Sequence, residues 1–262
     1  MLIMDVDGVI SSLKEKKAKP EVLQHIAKEL KNGKPFALNT GRSLDWVLER
    51  TLPSLINDSK IKKHLTNLIV VGEKGATWMT FDKNGQPEVH VDETISIPQN
   101  LQRDIKDLVE SKYARSMFYD SPKKTMISTE MRDGYDMKDY EEDQKLLAPE
   151  VDELIKKYGL ENILVVEPNP IAYDIQNKEV GKHLGVKRIL DWLKDKKLNV
   201  SRFITIGDSS SDIKMAQELY KNNFPVMHVH VGEKKMEDKN PFKVITTSDK
   251  FEKGTLEFLQ SL

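Results

Sequence analysis

The order of apolar and polar positions divides the chain into segments that differ in the spacing of their apolar residues. Residues 2–4 and 36–38 are short apolar runs typical of buried strands, and residues 20–31 carry apolar side chains at helical spacing. A second predicted helix, over residues 43–50, precedes a third apolar run at residues 68–71. Strand and helix alternating in this way indicate right-handed units on a parallel sheet.

From residue 77 the pattern becomes that of antiparallel strands. Segments 77–81 and 88–91 flank Asp82-Lys-Asn-Gly85, which is a strong hairpin signal. A helix followed by two strands then occurs twice; the predicted helices cover residues 99–112 and 142–158, and the predicted strands cover residues 115–119, 125–131, 162–166 and 172–175. We therefore predict an inserted α+β domain of order αββαββ over residues 83–178, within a core domain made of residues 1–82 and 179–262.

After residue 178 the alternation of helices and strands returns. The predicted elements are a helix over 180–196, a strand over 203–206, a helix over 213–220, a strand over 226–231 and a closing helix over 253–262. Residues 232–241 are charged, lack periodicity and are predicted to form a loop. The expected fold class is α/β, with a Rossmann-like, doubly wound parallel sheet core and the inserted αββαββ domain.

Composition narrows the possible partners and location. The 41 basic and 42 acidic residues nearly cancel, so no overall field favours nucleic acid or an anionic membrane as a partner. The chain contains no cysteine, which excludes disulfides, thiolate metal sites and a cysteine nucleophile and fits a cytoplasmic location. The apolar runs are too short to cross a bilayer, and no signal peptide is expected because no basic region precedes the first of them.

Polar residues follow three of the predicted core strands. They form the groups Asp5-Val-Asp7, Thr40-Gly-Arg42 and Asp208-Ser-Ser-Ser-Asp212, and a lone Lys182 lies near the start of the returning helix. The carboxyl ends of parallel strands meet at one edge of a sheet, so these groups can form one site with oxygen ligands for Mg²⁺, donors for phosphate and an ammonium. Taken singly, each group also fits a turn, a helix cap or a solvated lysine.

The order and spacing of these groups resemble those of a known family. Asp5-Val-Asp-Gly-Val9, Asn39-Thr-Gly-Arg42, Lys182 and Gly207-Asp-Ser-Ser-Ser-Asp212 are similar to the four motifs of the haloacid dehalogenase superfamily of phosphatases. The position of the insert, between the second and third motifs, resembles the Cof-like branch with a large C2 (type IIB) cap. In that branch the insert is a cap domain that closes over the core.

The resemblance implies a role for each matching residue. Asp5 would attack phosphorus to give an aspartyl phosphate, and Asp7 would be the general acid and base, with its main-chain carbonyl facing the metal. Asp208 and Asp212 would join Asp5 and Asp7 in holding Mg²⁺. The phosphate would be held by Thr40, Gly41 and Lys182, and possible substrate contacts are Arg42, Lys74 and Ser211.

Several positions depart from the family pattern. Ser211 and Lys74 stand where this branch usually has asparagine, and His183 replaces a common glycine. Lys74 either adds positive charge beside the substrate or is a solvated loop residue.

Other charged or polar groups favour structural roles. The His228 and His230 pair fits a structural strand better than a metal site. Lys123 and Lys124 fit a solvated loop, and the acidic residues 133–143 fit an exposed loop.

The sequence thus predicts a Mg²⁺-dependent phosphatase that hydrolyses a small phosphate monoester, either a sugar phosphate or the phosphate of a small organic acid. Two alternatives stay open: a sugar phosphomutase or phosphotransferase of the same fold, and a catalytically weak phosphate-binding regulatory protein. The expected partner is a small-molecule phosphate ester, without nucleic acid or membrane. The sequence does not distinguish a monomer from a homodimer.

Overall fold

The structure is a computed structural model that describes residues 1–11, 17–232 and 239–262. It divides into two compact units: a core unit formed by Met1–His90 and Gly181–Leu262, and an inserted unit formed by Val91–Val180. The predicted loop over residues 232–241 lies partly outside the described residues, because residues 233–238 are not among them.

The strands and helices follow one another in the order that the sequence predicts, with a few additions. The strands are β1 (Leu2–Met4), β2 (Phe36–Asn39), β3 (Leu68–Gly72), β4 (Thr77–Phe81), β5 (Pro87–Val91), β6 (Met117–Tyr119), β7 (Ile127–Met131), β8 (Leu164–Asn169), β9 (Ala172–Asn177), β10 (Phe203–Gly207), β11 (Val226–His230) and β12 (Lys243–Thr246). The α-helices are α1 (Pro20–Lys31), α2 (Leu44–Arg50), α3 (Pro53–Ile56), α4 (Ser59–Lys62), α5 (Gln99–Leu108), α6 (Met137–Lys157), α7 (Lys182–Asp195), α8 (Ile213–Lys221) and α9 (Phe251–Gln260).

The core unit is built on an eight-stranded sheet in the order β12-β11-β10-β1-β2-β3-β4-β5. The strands from β12 to β3 are parallel to their neighbours, whereas β4 pairs antiparallel with β3. Alternate strand residues face opposite sides: Leu2 and Met4 lie in an apolar cluster that includes residues of α1 and α9, while Ile3 lies in a second cluster with residues of α7 and α8. Because helices cover both faces, the central strands are mostly apolar, with Thr205 in β10 and Asn39 in β2 as buried polar exceptions, as in a doubly wound α/β fold. This confirms the predicted fold class.

The inserted unit has its own antiparallel sheet in the order β6-β7-β9-β8. Ile127 of β7 is opposite Ile175 of β9, and both are fully buried in a cluster that includes Leu101 of α5 and Val151 of α6. The unit therefore has the predicted αββαββ order and an apolar core separate from that of the core unit.

The predicted domain boundary differs from the structure by one strand. The sequence places the start of the insert at residue 83, within the hairpin turn, but β5 after that turn is the neighbour of β4 in the core sheet. The second compact unit therefore begins at Val91 and ends at Val180, rather than spanning residues 83–178.

The acidic segment 133–143 is not the exposed loop that the sequence predicts. Helix α6 begins at Met137, because the side chain of Asp136 accepts hydrogen bonds from the backbone N–H groups of Lys138 and Asp139 and so caps the helix. Acidic side chains in the first turn also interact favourably with the helix dipole. The prediction that this helix starts at residue 142 was therefore wrong by more than one turn.

Three short elements were not predicted. Strand β12 pairs parallel with β11, and α3 and α4 lie between α2 and β3. Among the described helices, none is both long and apolar enough to cross a membrane.

Candidate active site

Three neighbouring strands end at the same edge of the core sheet. Met4 is opposite Ile206 in β10 and Leu38 in β2, so the residues that follow these strands emerge side by side. The backbone continues the pairing one step further, because the N–H of Asp5 donates to the carbonyl of Ile206 at 3.0 Å and the N–H of Thr40 donates to that of Val71 at 2.9 Å. The predicted groups at Asp5, Thr40 and Asp208 therefore share this edge.

Lys182 brings two of the carboxylates together. Its ammonium lies 2.7 Å from Asp5 Oδ1 and 2.9 Å from Asp212 Oδ1, and it donates to the main-chain carbonyl of Asn39 at 2.6 Å. In return, Asn39 Nδ2 donates to the carbonyl of Lys182 at 2.9 Å. These reciprocal bonds fix the first residue of α7 against the end of β2.

Burial and the ion pairs of Lys182 act in opposite directions on the pKa values of Asp5, Asp212 and Lys182. Burial raises the pKa of Asp5, although the Lys182 charge opposes that rise. Burial alone would also raise the pKa of Asp212, but the Lys182 ammonium and the bonds from Ser209 outweigh it, and the pKa lies below its usual value. Burial alone would lower the pKa of Lys182, but the charges of Asp212 and Asp5 outweigh it, and the pKa is raised. Lys182 is therefore a permanent cation at neutral pH.

Asp5 is held by only one of its carboxylate oxygens. Within the described part of the chain, both of its polar partners, Lys182 Nζ and the N–H of Val6, contact Oδ1, each at 2.7 Å. These two contacts orient the Asp5 side chain through Oδ1.

Asp208 lies against Gly8. Gly8 has a φ of +70°, and a Cβ built at this position would lie 2.0 Å from Asp208 Oδ2, so a side chain here would displace the carboxylate. Burial, reinforced by the charge of Asp212, raises the pKa of Asp208 to about 6.

The carboxylates of Asp5, Asp208 and Asp212 form a group suited to a cation. One oxygen from each lies within 4.8 Å of the others. Asp5 and Asp212 are buried, Asp208 is half-buried, and the Lys182 ammonium contacts Asp5 and Asp212. Carboxylate oxygens are ligands preferred by Mg²⁺, so the donor set fits that ion. The Asp7 side chain is not part of this group, and a metal contact from its main-chain carbonyl stays a prediction.

Asp212 is oriented by a serine that the sequence analysis did not select. Ser209 donates to Asp212 Oδ2 from its N–H at 3.0 Å and from its hydroxyl at 2.6 Å. Ser211 is exposed, and its hydroxyl lies 2.8 Å from that of Ser209, so it acts on Asp212 only through Ser209. The Ser-x-x-Asp spacing resembles that of a reciprocal helix-capping pair and was the signal that could have identified it.

Asp7 is held by Arg42. Arg42 Nε and Nη2 lie 2.9 and 3.1 Å from the two carboxylate oxygens, forming a bidentate pair. The Arg42 guanidinium also lies 4.8 Å from the ring centroid of Trp46, on helix α2, which begins after its cap Ser43. Arg42, a candidate substrate contact, is therefore held against Asp7, the candidate general acid.

Hydrogen bonds join the loop Thr40–Gly41 to its neighbours. Thr40 is buried and its hydroxyl accepts from the N–H of Arg42 at 3.2 Å. The N–H of Lys74 donates to the carbonyl of Thr40 at 2.9 Å, which joins the loop to the turn after β3.

Two other predictions concern residues outside this group. His228 and His230 are buried, with His228 Nδ1 2.8 Å from the Thr205 hydroxyl, and no histidine belongs to the metal-type group among the described residues. Lys123 is only 7% exposed and lies 3.5 Å from Asp120 and 3.8 Å from Asp174, so the expectation of a solvated residue was wrong for Lys123.

Known proteins resemble this chain in family and fold. The family model of haloacid dehalogenase-like hydrolases matches residues 2–221. No protein of curated function matches the sequence.

Solved structures with a similar fold include the Thermoplasma acidophilum protein 0175, with a TM-score of 0.63, 15% identity and coverage of 99% of this chain and 96% of that one. Sucrose-phosphatase from Synechocystis sp. PCC6803, solved with sucrose and phosphate, has a TM-score of 0.55 and 14% identity over 99% of this chain and 96% of its own. Trehalose-6-phosphate phosphatase from Aspergillus fumigatus has a TM-score of 0.53 and 15% identity over 99% of this chain and 92% of its own. At these identities the similarity establishes a common fold.

Proposed function

Because this chain belongs to the haloacid dehalogenase-like hydrolase family, we propose that it is a Mg²⁺-dependent phosphatase acting on a small phosphate monoester. The observation that carries the proposal is the state of Asp5. This carboxylate is anchored at Oδ1 by Lys182 and the N–H of Val6, beside the buried Asp212 and the half-buried Asp208. Such an arrangement suits a carboxylate nucleophile beside a cation site.

Asp5, Asp208 and Asp212 would hold the metal. When bound, Mg²⁺ would offset the repulsion between the carboxylates and the phosphate dianion and stabilise charge on the transferring phosphoryl group.

The first step forms a bond between Asp5 and phosphorus. Asp5 Oδ2 attacks as the bond from phosphorus to the ester oxygen breaks, and Asp7 gives its proton to the departing alkoxide. The Arg42 fork keeps Asp7 in place for this transfer. Lys182, with Thr40 and Gly41, is proposed to bind the phosphoryl oxygens.

The second step returns the enzyme to its starting state. Asp7, now a carboxylate, takes a proton from a water molecule that attacks phosphorus. The bond between phosphorus and Asp5 breaks, inorganic phosphate leaves, and Asp7 again carries a proton.

We assign the inserted unit, Val91–Val180, the role of a cap that selects the substrate and excludes bulk water. Its place in the chain, between Arg42 and Lys182, supports this role. The solved phosphatases of similar fold are named for sucrose phosphate and trehalose 6-phosphate, which keeps a sugar phosphate among the candidates beside the phosphate of a small organic acid.

The test is phosphate release from an aryl phosphate and from a panel of phosphorylated metabolites, with Mg²⁺ or with EDTA. Asp5→Asn is expected to lower kcat by at least about 10³-fold while the thermal unfolding of the protein changes little, because the amide is a poor nucleophile. Asp195→Asn, an exposed acid at the end of α7, is the matched control and should retain activity. Full activity in Asp5→Asn would refute the mechanism.

Two alternatives predict different products. A phosphotransferase would move the phosphoryl group to a sugar without releasing stoichiometric phosphate. A regulatory phosphate-binding protein would bind phosphate without turning over any ester.

A further inference from the structure

Asn39, the last residue of β2, is fully buried and contacts Lys182 at both ends. Asn39 Nδ2 donates to the main-chain carbonyl of Lys182 at 2.9 Å, and the main-chain carbonyl of Asn39 accepts from the Lys182 ammonium at 2.6 Å. The first contact fixes the backbone from which the lysine side chain starts, and the second fixes the ammonium at which it ends. Because the stem of a lysine is flexible, fixing both ends restricts the positions that the ammonium can take.

The other amide atom of Asn39 has an unfavourable environment. Among the residues that the structure describes, no hydrogen-bond donor contacts the buried Asn39 Oδ1. A buried acceptor without a partner lowers the stability of a protein. Exchanging the two amide atoms would not remove this cost, because it would place the oxygen against the Lys182 carbonyl. The amide therefore gains its contact with Lys182 at the expense of an unsatisfied oxygen.

Gly185, three residues after Lys182 in α7, lies directly against the Asn39 amide. A Cβ built on Gly185 would lie 2.3 Å from Asn39 Oδ1 and 2.5 Å from Nδ2, so any side chain here would displace the amide. Glycine inside a helix is less favourable than alanine, because glycine loses more conformational freedom on folding. Two locally unfavourable features thus meet at the contact that holds Lys182. Departures of this kind from local rules are expected at functional sites.

We propose that Asn39 is a positioning residue that places the Lys182 ammonium beside Asp5, and that Gly185 leaves the room that the Asn39 amide needs. The ammonium lies 2.7 Å from Asp5 Oδ1, the oxygen through which Asp5 is oriented. A misplacement of about 1 Å at a reacting centre can lower a rate about a hundredfold. The catalytic part of this inference rests on the proposed function, whereas the placement of the ammonium does not.

The first experiment observes the ammonium without any reaction. The full chain is labelled with ¹⁵N-lysine, and ammonium signals are recorded by NMR in EDTA; the Lys182 signal is identified by its loss in Lys182→Met. Protection of exchangeable protons reports how firmly a group is held, so Asn39→Ala should speed the exchange of the Lys182 ammonium protons at least about fivefold. Lys123, the other buried lysine among the described residues, lies in the inserted unit and should keep its exchange rate.

Steady-state kinetics with an aryl phosphate in Mg²⁺ then measures the consequence. Asn39→Ala should lower kcat about tenfold to a hundredfold and change KM by less than about threefold, because a misplaced ammonium matters most in the transition state. Thermal unfolding should shift little, since the variant loses one hydrogen bond together with the unsatisfied oxygen. Asn199→Ala removes the same amide from an exposed position of the core unit and should resemble the wild type.

A double-mutant cycle tests the part played by Gly185. Gly185→Ala should lower kcat by about as much as Asn39→Ala, because its methyl group displaces the amide. In the Asn39→Ala background this methyl group meets no amide, so adding Gly185→Ala should change kcat by less than about threefold. Independent, multiplying losses of kcat would show that Gly185 does not act through Asn39 and would overturn the inference.

Two further results would overturn it: an unchanged exchange rate of the Lys182 ammonium in Asn39→Ala, or a marked fall in thermal stability of that variant with kcat unchanged, which would indicate a structural role. Failure of the proposed function is distinguishable from these results. It would appear as a wild type that releases no phosphate from any ester, while the Lys182 ammonium signal still responds to Asn39→Ala.

Discussion

Replacing Lys182 by methionine tests whether this buried ammonium balances the acids of the site. Lys182 is 6% exposed and lies within 2.9 Å of both Asp5 and Asp212. Methionine has a similar length and keeps the apolar part of the side chain, but it leaves two buried carboxylates without their cation. Breaking a buried ion pair by removing one partner destabilises a protein by about 3–5 kcal/mol.

Urea unfolding followed by circular dichroism at pH 7.5 in EDTA measures this loss in the metal-free protein. We expect the free energy of unfolding to fall by about 3–5 kcal/mol in Lys182→Met. Lys187→Met is the matched control, since it makes the same replacement at an exposed position of α7, and should change stability by less than about 0.5 kcal/mol.

Adding Mg²⁺ makes the test specific for charge. The Lys182 ammonium contacts two of the three carboxylates of the proposed metal site, so Mg²⁺ should stabilise Lys182→Met by more than it stabilises the wild type. At a concentration of 100 times Kd, a ligand adds about 2.7 kcal/mol. A loss below about 1 kcal/mol in EDTA, or an equal Mg²⁺ increment in both proteins, would refute the charge balance between Lys182 and the acids.

Two further predictions concern the buried His228 and the bidentate contact between Arg42 and Asp7. Burial lowers the pKa of His228 from 6.5 to about 4, so the stability that its neutral form provides is present above pH 6.5 and is lost as pH falls towards 4. A fall of this size in the pKa corresponds to about 3 kcal/mol. In urea unfolding between pH 7 and pH 4, the wild type should therefore lose about 3 kcal/mol more stability than His228→Gln. An equal loss in the wild type and His228→Gln, as expected for the control His64→Gln, would contradict the prediction. Arg42→Lys removes the bidentate contact with Asp7 and should lower kcat about tenfold to a hundredfold for alkyl phosphates. The loss should be smaller for aryl phosphates, because their leaving groups need less protonation. Equal losses of kcat for both substrates in steady-state kinetics would show that Arg42 does not act through Asp7.

The central strands and the site residues that follow them could be predicted because each carries a local signal. A strand covered on both faces has a nearly continuous apolar sequence, and the polar residues that follow it mark the end of the strand at the sheet edge. Asp5, Thr40 and Asp208 each follow such a run closely, so the sequence alone was enough to select them. Strand β12 gave no such signal, because this four-residue edge strand is exposed or half-buried along its length.

Contacts between residues that are far apart in the sequence could not be found from local patterns. Asn39 and Lys182 are separated by 143 positions, and their reciprocal bonds depend on how β2 meets α7. The burial of Lys123, in the loop between β6 and β7, similarly depends on Asp174, which lies in β9. Such pairings are properties of the tertiary fold, so a lysine in a polar stretch gives no sequence signal that it is buried.

The four acids of the candidate site differ in the residues that contact them. Lys182 forms ion pairs with Asp5 and Asp212, and Ser209 donates a hydrogen bond to Asp212. Arg42 donates a hydrogen bond to Asp7. Asp208 is different: within the described residues it forms no ion pair, and its pKa is raised to about 6. Its carboxylate lies where Gly8 has no side chain, so the chain makes room for this acid without supplying a cation for it. In the proposed mechanism, a divalent ion would therefore gain most at Asp208, while the different partners of Asp5 and Asp7 would separate attack from proton transfer.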